Sequence, residues 1–137
     1  MGARIVACSS REPGEGEAEH VIDGDLTTIW HSQYGTTMSS FPHSVTVAFD
    51  KPRTLKGLRV FGRDVGVNGR VKNCMVEVSS DGKSWAEAAR ATLANTADAQ
   101  EILFAKPVVK VGFYRFTALD NHYGDDFASM AEIEPVE

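Results

Sequence analysis

From Ser44 to Phe49 the chain alternates strictly, with Val45, Val47 and Phe49 on one side and Ser44, Thr46 and Ala48 on the other. A period of two is the mark of a strand with one buried face, and Asp50-Lys51-Pro52 supplies a stop for it. Further alternating or β-rich runs cover residues 55–62, 74–79, 101–104, 111–119 and 130–136. Asp81-Gly82, just before Trp85, offers the positive backbone angles of a hairpin turn, and Trp30 and Trp85 are expected as core anchors. Only the alanine-rich stretch 85–95 admits a helix, and a strand with a loop fits it equally well. Short strands with turn signals throughout predict an all-β fold, a β-sandwich of the jelly-roll kind. Residues 10–19, nearly devoid of apolar side chains, predict an acidic loop.

With 137 residues, 42% of them hydrophobic and 24% charged, the sequence fits one globular domain spanning residues 1–137. A net charge of −5 with 14 dispersed basic residues argues against nucleic acid and anionic lipid as partners. No apolar run is long enough for a transmembrane segment or a signal peptide, so the expectation is either a cytosolic protein or a module of a secreted parent. Cys8 and Cys74 form no CxxC pair and read as partly buried free thiols in preference to a disulfide.

Chemistry concentrates in Asp23-Gly24-Asp25-Leu26-Thr27-Thr28-Ile29-Trp30-His31. If the chain ends meet, Glu132 joins Asp23, Asp25 and Thr28 as an all-oxygen set suited to one hard cation such as calcium, which takes about 6–8 ligands. The spacing excludes an EF-hand, since Thr28 and Tyr34 stand where its glycine and terminal glutamate belong. No Gly-x-Ser-x-Gly elbow, His-Glu-x-x-His helix or phosphate-cradling glycine loop occurs, so no enzymatic activity is expected.

Six blocks in order carry a resemblance: residues 21–31, 42–47 (Pro-His-Ser-Val-Thr-Val), 57–63 (Gly-Leu-Arg-Val-Phe-Gly-Arg), 78–85, 114–116 (Tyr-Arg-Phe) and 131–133 (Ala-Glu-Ile). Together they resemble the coagulation factor 5/8 type C (discoidin-like) domain, and within it the family 32 carbohydrate-binding modules of bacterial sialidases, other glycosidases and galactose oxidase. The resemblance implies a jelly roll with a structural calcium held by Asp23, Asp25, Thr28 and Glu132 and by the backbone carbonyls of His20 and Ala131. It also implies a non-catalytic site for terminal galactose or N-acetylgalactosamine on glycans. His31, Arg63 and Asn68 match its polar positions, and Phe127, preferred over Tyr34, matches its stacking ring; Tyr123 is a third possibility. Glu12, Glu15 and Glu17 stand where a carboxylate sometimes joins the sugar, and the sequence does not select among them. Other sugars remain open, including a cationic glucosamine polymer. The resemblance further implies a secreted or cell-surface parent in which the module is appended to a glycoside-active enzyme or other extracellular domains. The alternative is an adhesion module that meets a protein or membrane through Met38 and Phe41 at a loop tip.

Overall fold

The computed structural model describes residues 2–137, and it is all-β apart from one short 3-10 helix, Ala18–Ile22. The strands are β1 (Ala3–Cys8), β2 (Trp30–His31), β3 (His43–Phe61), β4 (Asn73–Ser79), β5 (Ala86–Thr92), β6 (Ala99–Ala118), β7 (Ser129–Met130) and β8 (Glu132–Val136). They pair antiparallel in the order β1-β3-β6-β4-β5, with β8 on the free flank of β3 and β2 paired to β7.

The two long strands make the sandwich. Residues 43–48 of β3 pair with 113–118 of β6, and residues 57–61 pair with 99–103. Between these ladders the register slips repeatedly, so that 49–52 are opposed only by Gly112 and 104–107 only by Lys56. Extra residues on alternate strands bend the pair, as bulges do, and fold one continuous sheet into two antiparallel layers. Asp50-Lys51-Pro52 therefore bends the strand where the sequence predicted a stop, and Pro52, lacking an N–H, lies in the unpaired stretch. One core results: Val45, Val47, Leu55, Leu58, Val60, Val76, Phe116 and Trp30 are fully buried within a single cluster.

Two expectations shift on this frame. Ala48 and Thr46, predicted to face solvent, are buried at 1% and 7% exposure. Their cross-strand partners Phe113 and Arg115 carry a second layer, in which Trp85 lies under the Arg115 guanidinium at 4.2 Å and beside Phe113. Trp85 thus packs half-buried on the outer face, and Trp30 alone anchors the core. The alanine-rich segment is strand β5, and the Asp81-Gly82 turn forms as predicted, with Gly82 at φ 78°. Both cysteines are free, and burial pushes the Cys74 thiol up to about 12.

At the crossing of the long strands Gly57 lies so close to β6 that a Cβ there would sit 2.3 Å from the Ile102 carbonyl oxygen. Gly57→Ala is expected to cost about 2 kcal/mol, the scale of an overpacked interior. A urea titration should show a lower midpoint at unchanged slope; a wild-type midpoint would mean the crossing has slack.

Candidate functional site

Two short strands hold the loop end of the sandwich together. In the β2–β7 ladder Trp30 pairs with Met130 and His31 with Ser129. Trp30 has no exposed surface, and its Nε1 donates to the Ser10 carbonyl at 2.8 Å, so the residue after it is fixed by the core. Alongside, the Arg63–Asn68 loop leaves the end of β3, and the Phe127 loop enters β7.

Between them lies a cleft of about 390 Å³ lined by Glu15, Ile29, His31, Tyr34, Arg63, Asn68 and Phe127. All five residues predicted to touch ligand are in it. His31 sits at its floor, 6% exposed, with Tyr34 edge-on at 5.0 Å between ring centres and Phe127 tilted at 5.5 Å. Since a carbonyl only accepts, the 2.7 Å contact of His31 Nδ1 with the Ser32 oxygen places the proton on Nδ1 and leaves the Nε2 lone pair to accept. Burial, set against that hydrogen bond and reinforced by the nearby Arg63 charge, holds the His31 pKa below its ordinary value. Arg63 is tied by Nε to the Val65 carbonyl at 3.1 Å and by Nη1 to the Asn68 carbonyl at 3.2 Å. It forms no ion pair with its neighbour Asp64 among the described residues, and Glu77 pairs instead with Arg115 at 2.9 Å.

The acidic loop proves to be a wall of this cleft. Its backbone bonds that of His31 on both sides, from the Glu12 N–H at 2.8 Å and to the Gly16 carbonyl at 3.2 Å. Any Cβ on Gly16 would fall within 2.7 Å of the His31 backbone, so only glycine lets the loop lie this close. The three glutamates divide their work. Glu12 accepts the Tyr34 and Gly35 N–H groups at 2.9 and 2.8 Å, which holds its carboxyl below the usual range. Glu15 accepts the Tyr34 hydroxyl and thereby raises the phenol's pKa, while Glu17 takes Arg11 and the Gly14 N–H. Of the three, Glu15 alone lines the cleft. Ile29 is the lining residue that sequence reasoning missed, since its apolar character gave no chemical signal.

The predicted cation ligands meet only in part. Glu132, 4% exposed, accepts the Gly24 N–H with both oxygens at 3.2 Å, and Thr28 donates to Asp23 at 2.5 Å. Burial, with Asp23 and Glu134 nearby, pushes Glu132 up to about 7, against the pull of the Gly24 N–H. Asp25 is turned elsewhere, its carboxylate accepting the Thr27 N–H and hydroxyl at 2.8 and 2.6 Å. The His20 ring donates to the Ile29 carbonyl at 2.7 Å, and the Ala131 N–H donates to the Phe61 carbonyl at 2.9 Å. Among the described residues no three His, Cys, Asp or Glu side chains converge as a metal cluster. The chemistry of Asp23 and Glu132 nonetheless fits a hard divalent ion, since a buried carboxylate beside a like charge is stabilised as an anion by one.

Two other candidates lie outside the cleft lining. Tyr123 accepts from Asn95 Nδ2 at 2.8 Å, and Phe41 is half-buried against His43, which leaves Met38, 57% exposed, without its partner in an apolar tip. No helix among the described residues is long and apolar enough to cross a membrane.

The cleft's contents suit a saturated ring with hydroxyl groups: rings for its C–H face, a guanidinium fork, an amide and an imidazole acceptor for its oxygens. Its lining holds one carboxylate, Glu15, and not the pair used to cleave glycosidic bonds.

Comparison with known proteins places the fold. The chain is 26% identical over 122 residues to a sialidase of Micromonospora viridifaciens, covering 88% of this chain and 18% of the sialidase. It spans less than a fifth of the length of the curated relatives it matches. Two solved Clostridium perfringens structures share the fold at 22% identity. CpGH89CBM32-5, in complex with GalNAc-β-1,3-galactose, superposes with a TM-score of 0.90 over 99% of this chain and 96% of its own. The family 32 module of NanJ, in complex with galactose, superposes at 0.85 over 98% and 93%. Residues 5–133 match the family model itself, and the chain belongs to the F5/8 type C domain family.

Proposed function

We propose that this chain is a non-catalytic carbohydrate-binding module for glycans ending in galactose or N-acetylgalactosamine. The carrying observation is the cleft in which His31, Arg63 and Asn68 face the same space as the Phe127 and Tyr34 rings. Phe127 takes the C–H face of the sugar, the Arg63 fork spans two oxygens, Asn68 both donates and accepts, and neutral His31 accepts a hydroxyl proton at Nε2. The two sugar-bound neighbours of the same fold support this reading. As part of a longer secreted or cell-surface protein, the module holds a glycoside-active partner near glycans. One monosaccharide with a few polar contacts gives dissociation constants on the order of 0.1–1 mM, so retention comes from multivalency.

A structural calcium completes the reading. The side chains of Asp23, Asp25, Thr28 and Glu132 and the carbonyls of His20 and Ala131 would hold it, and a bound divalent cation would offset the like charges of Asp23 and Glu132.

Three measurements test these statements. Titration calorimetry with galactose, N-acetylgalactosamine, glucose and mannose should show binding of the first two, and Arg63→Ala should weaken it at least about tenfold, as a lost charge-assisted pair of bonds does; full binding by the variant removes the site. Because the His31 pKa is lowered, its neutral form persists below pH 6.5, so affinity should be flat from pH 8 to 6.5 and fall under more acid conditions as Nε2 takes a proton. Affinity that climbs steadily on acidification would sink the acceptor role. Chelation should lower the melting temperature and calcium restore it, by about 2.7 kcal/mol at a hundredfold excess over its Kd; an unchanged melting curve rules the ion out.

A further inference from the structure

The Phe127 loop poses a physical problem. From Tyr123 to Asp126 every residue is exposed, so no apolar burial holds the segment that delivers Phe127 to His31. Its ends are fastened: His43 Nε2 donates to the Asp126 carbonyl at 2.7 Å, and Ser32 exchanges backbone and hydroxyl bonds with Ala128 at 2.9 and 3.0 Å. Its interior is organised by one side chain. Asn121, 6% exposed, accepts the Tyr123 and Gly124 N–H groups on Oδ1, both at 2.9 Å. Its Nδ2 donates to the Asp125 carboxylate and to the Phe127 carbonyl, the latter at 2.8 Å. One amide thus bonds four residues of the loop and uses its full capacity of donors and acceptors.

The backbone beneath Asn121 is equally fixed. Asn121 bridges Val71, and the His122 N–H donates to the Arg70 carbonyl at 3.1 Å. Arg70 in turn donates twice to the Arg63 carbonyl, at 3.1 and 2.9 Å. The loop with the stacking ring and the loop with the guanidinium therefore rest on one segment, residues 70–72, with Asn121 joining the first loop to it.

We propose that Asn121 is a positioning residue for ligand binding, acting through Phe127: its amide holds the ring in the bound geometry before ligand arrives. The inference rests on the sugar-binding reading above. Preorganisation of this kind adds affinity by removing an ordering cost from the binding step.

A double-mutant cycle tests it, with Asn121→Asp, Phe127→Ala and the double variant titrated against methyl β-galactoside. Asn121→Asp keeps the Oδ1 acceptor, loses the donor to Phe127 and sets a second carboxylate against Asp125. It should weaken binding about tenfold, the scale of a loosened positioning group, and the double variant should bind like Phe127→Ala alone. Additive losses would overturn the proposal, as would full binding by either single variant. Amide exchange of the ligand-free protein gives the second reading: Asn121→Asp should speed exchange at residues 122–127 and leave β3, β4 and β6 unchanged. Unchanged loop exchange, or faster exchange across the whole sheet, would also overturn it. If wild type binds no galactoside, the sugar reading fails by itself, and the exchange result still decides whether Asn121 holds the loop.

Discussion

Everything at the loop end hangs on the burial of one indole. Trp30 has no solvent exposure, and its single polar atom is satisfied by the Ser10 carbonyl, so the side chain has one place to be. That constraint fixes β2, β2 fixes β7, and the acidic loop lies down along His31. Two segments far apart in sequence are thereby brought against one histidine, the acidic loop by backbone hydrogen bonds and the Phe127 loop by ring contact. Exposed loops acquire a defined geometry because each is bonded to a residue whose position the core has already decided.

The division of labour among polar groups follows from where each is buried. Buried ones, Asn121, Ser32, His43 and His31 Nδ1, spend their hydrogen bonds on backbone carbonyls and N–H groups of the loops. The groups left to face the cleft are the exposed Asn68, Tyr34 and Glu15, Arg63 half-buried behind its own loop, and the Nε2 edge of His31. Burial demands satisfaction, and exposure permits a group to wait for ligand. Glu12 and Glu15 show the rule at short range. They lie three residues apart in one loop, and one is bonded to two backbone N–H groups while the other stands in the cleft wall.

Much of this was legible in the sequence, for identifiable reasons. Alternation located the strands because a half-buried sheet imposes a period of two, and the family resemblance picked out His31, Arg63, Asn68, Tyr34 and Phe127, which line one cleft. What the sequence did not convey was continuity: Asp50-Lys51-Pro52 reads as a terminator, and only the opposing register on β6 turns it into a bend. Trp85 reads as a core residue, since hydrophobicity does not say which face of a sheet it will cover. Ile29 and Asn121 carry no signal of their own type. Their roles exist only once the loops are folded. The partner of Asp25 is of the same kind, since two neighbouring threonines competed for its carboxylate and the local turn decided.

The bend in β3 has a mechanical consequence. A load applied at the cleft would reach the Arg63 loop, which continues from β3, and the Phe127 loop, which continues through β7 into β8. β3 and β8 are neighbours, and their ladder begins at Phe61 and Glu132, the ends nearest those loops. Such a load would therefore enter both strands at the same end of their shared ladder. Along β3 it would meet the bend, where 49–52 are opposed on β6 only by Gly112, before it reached the second layer.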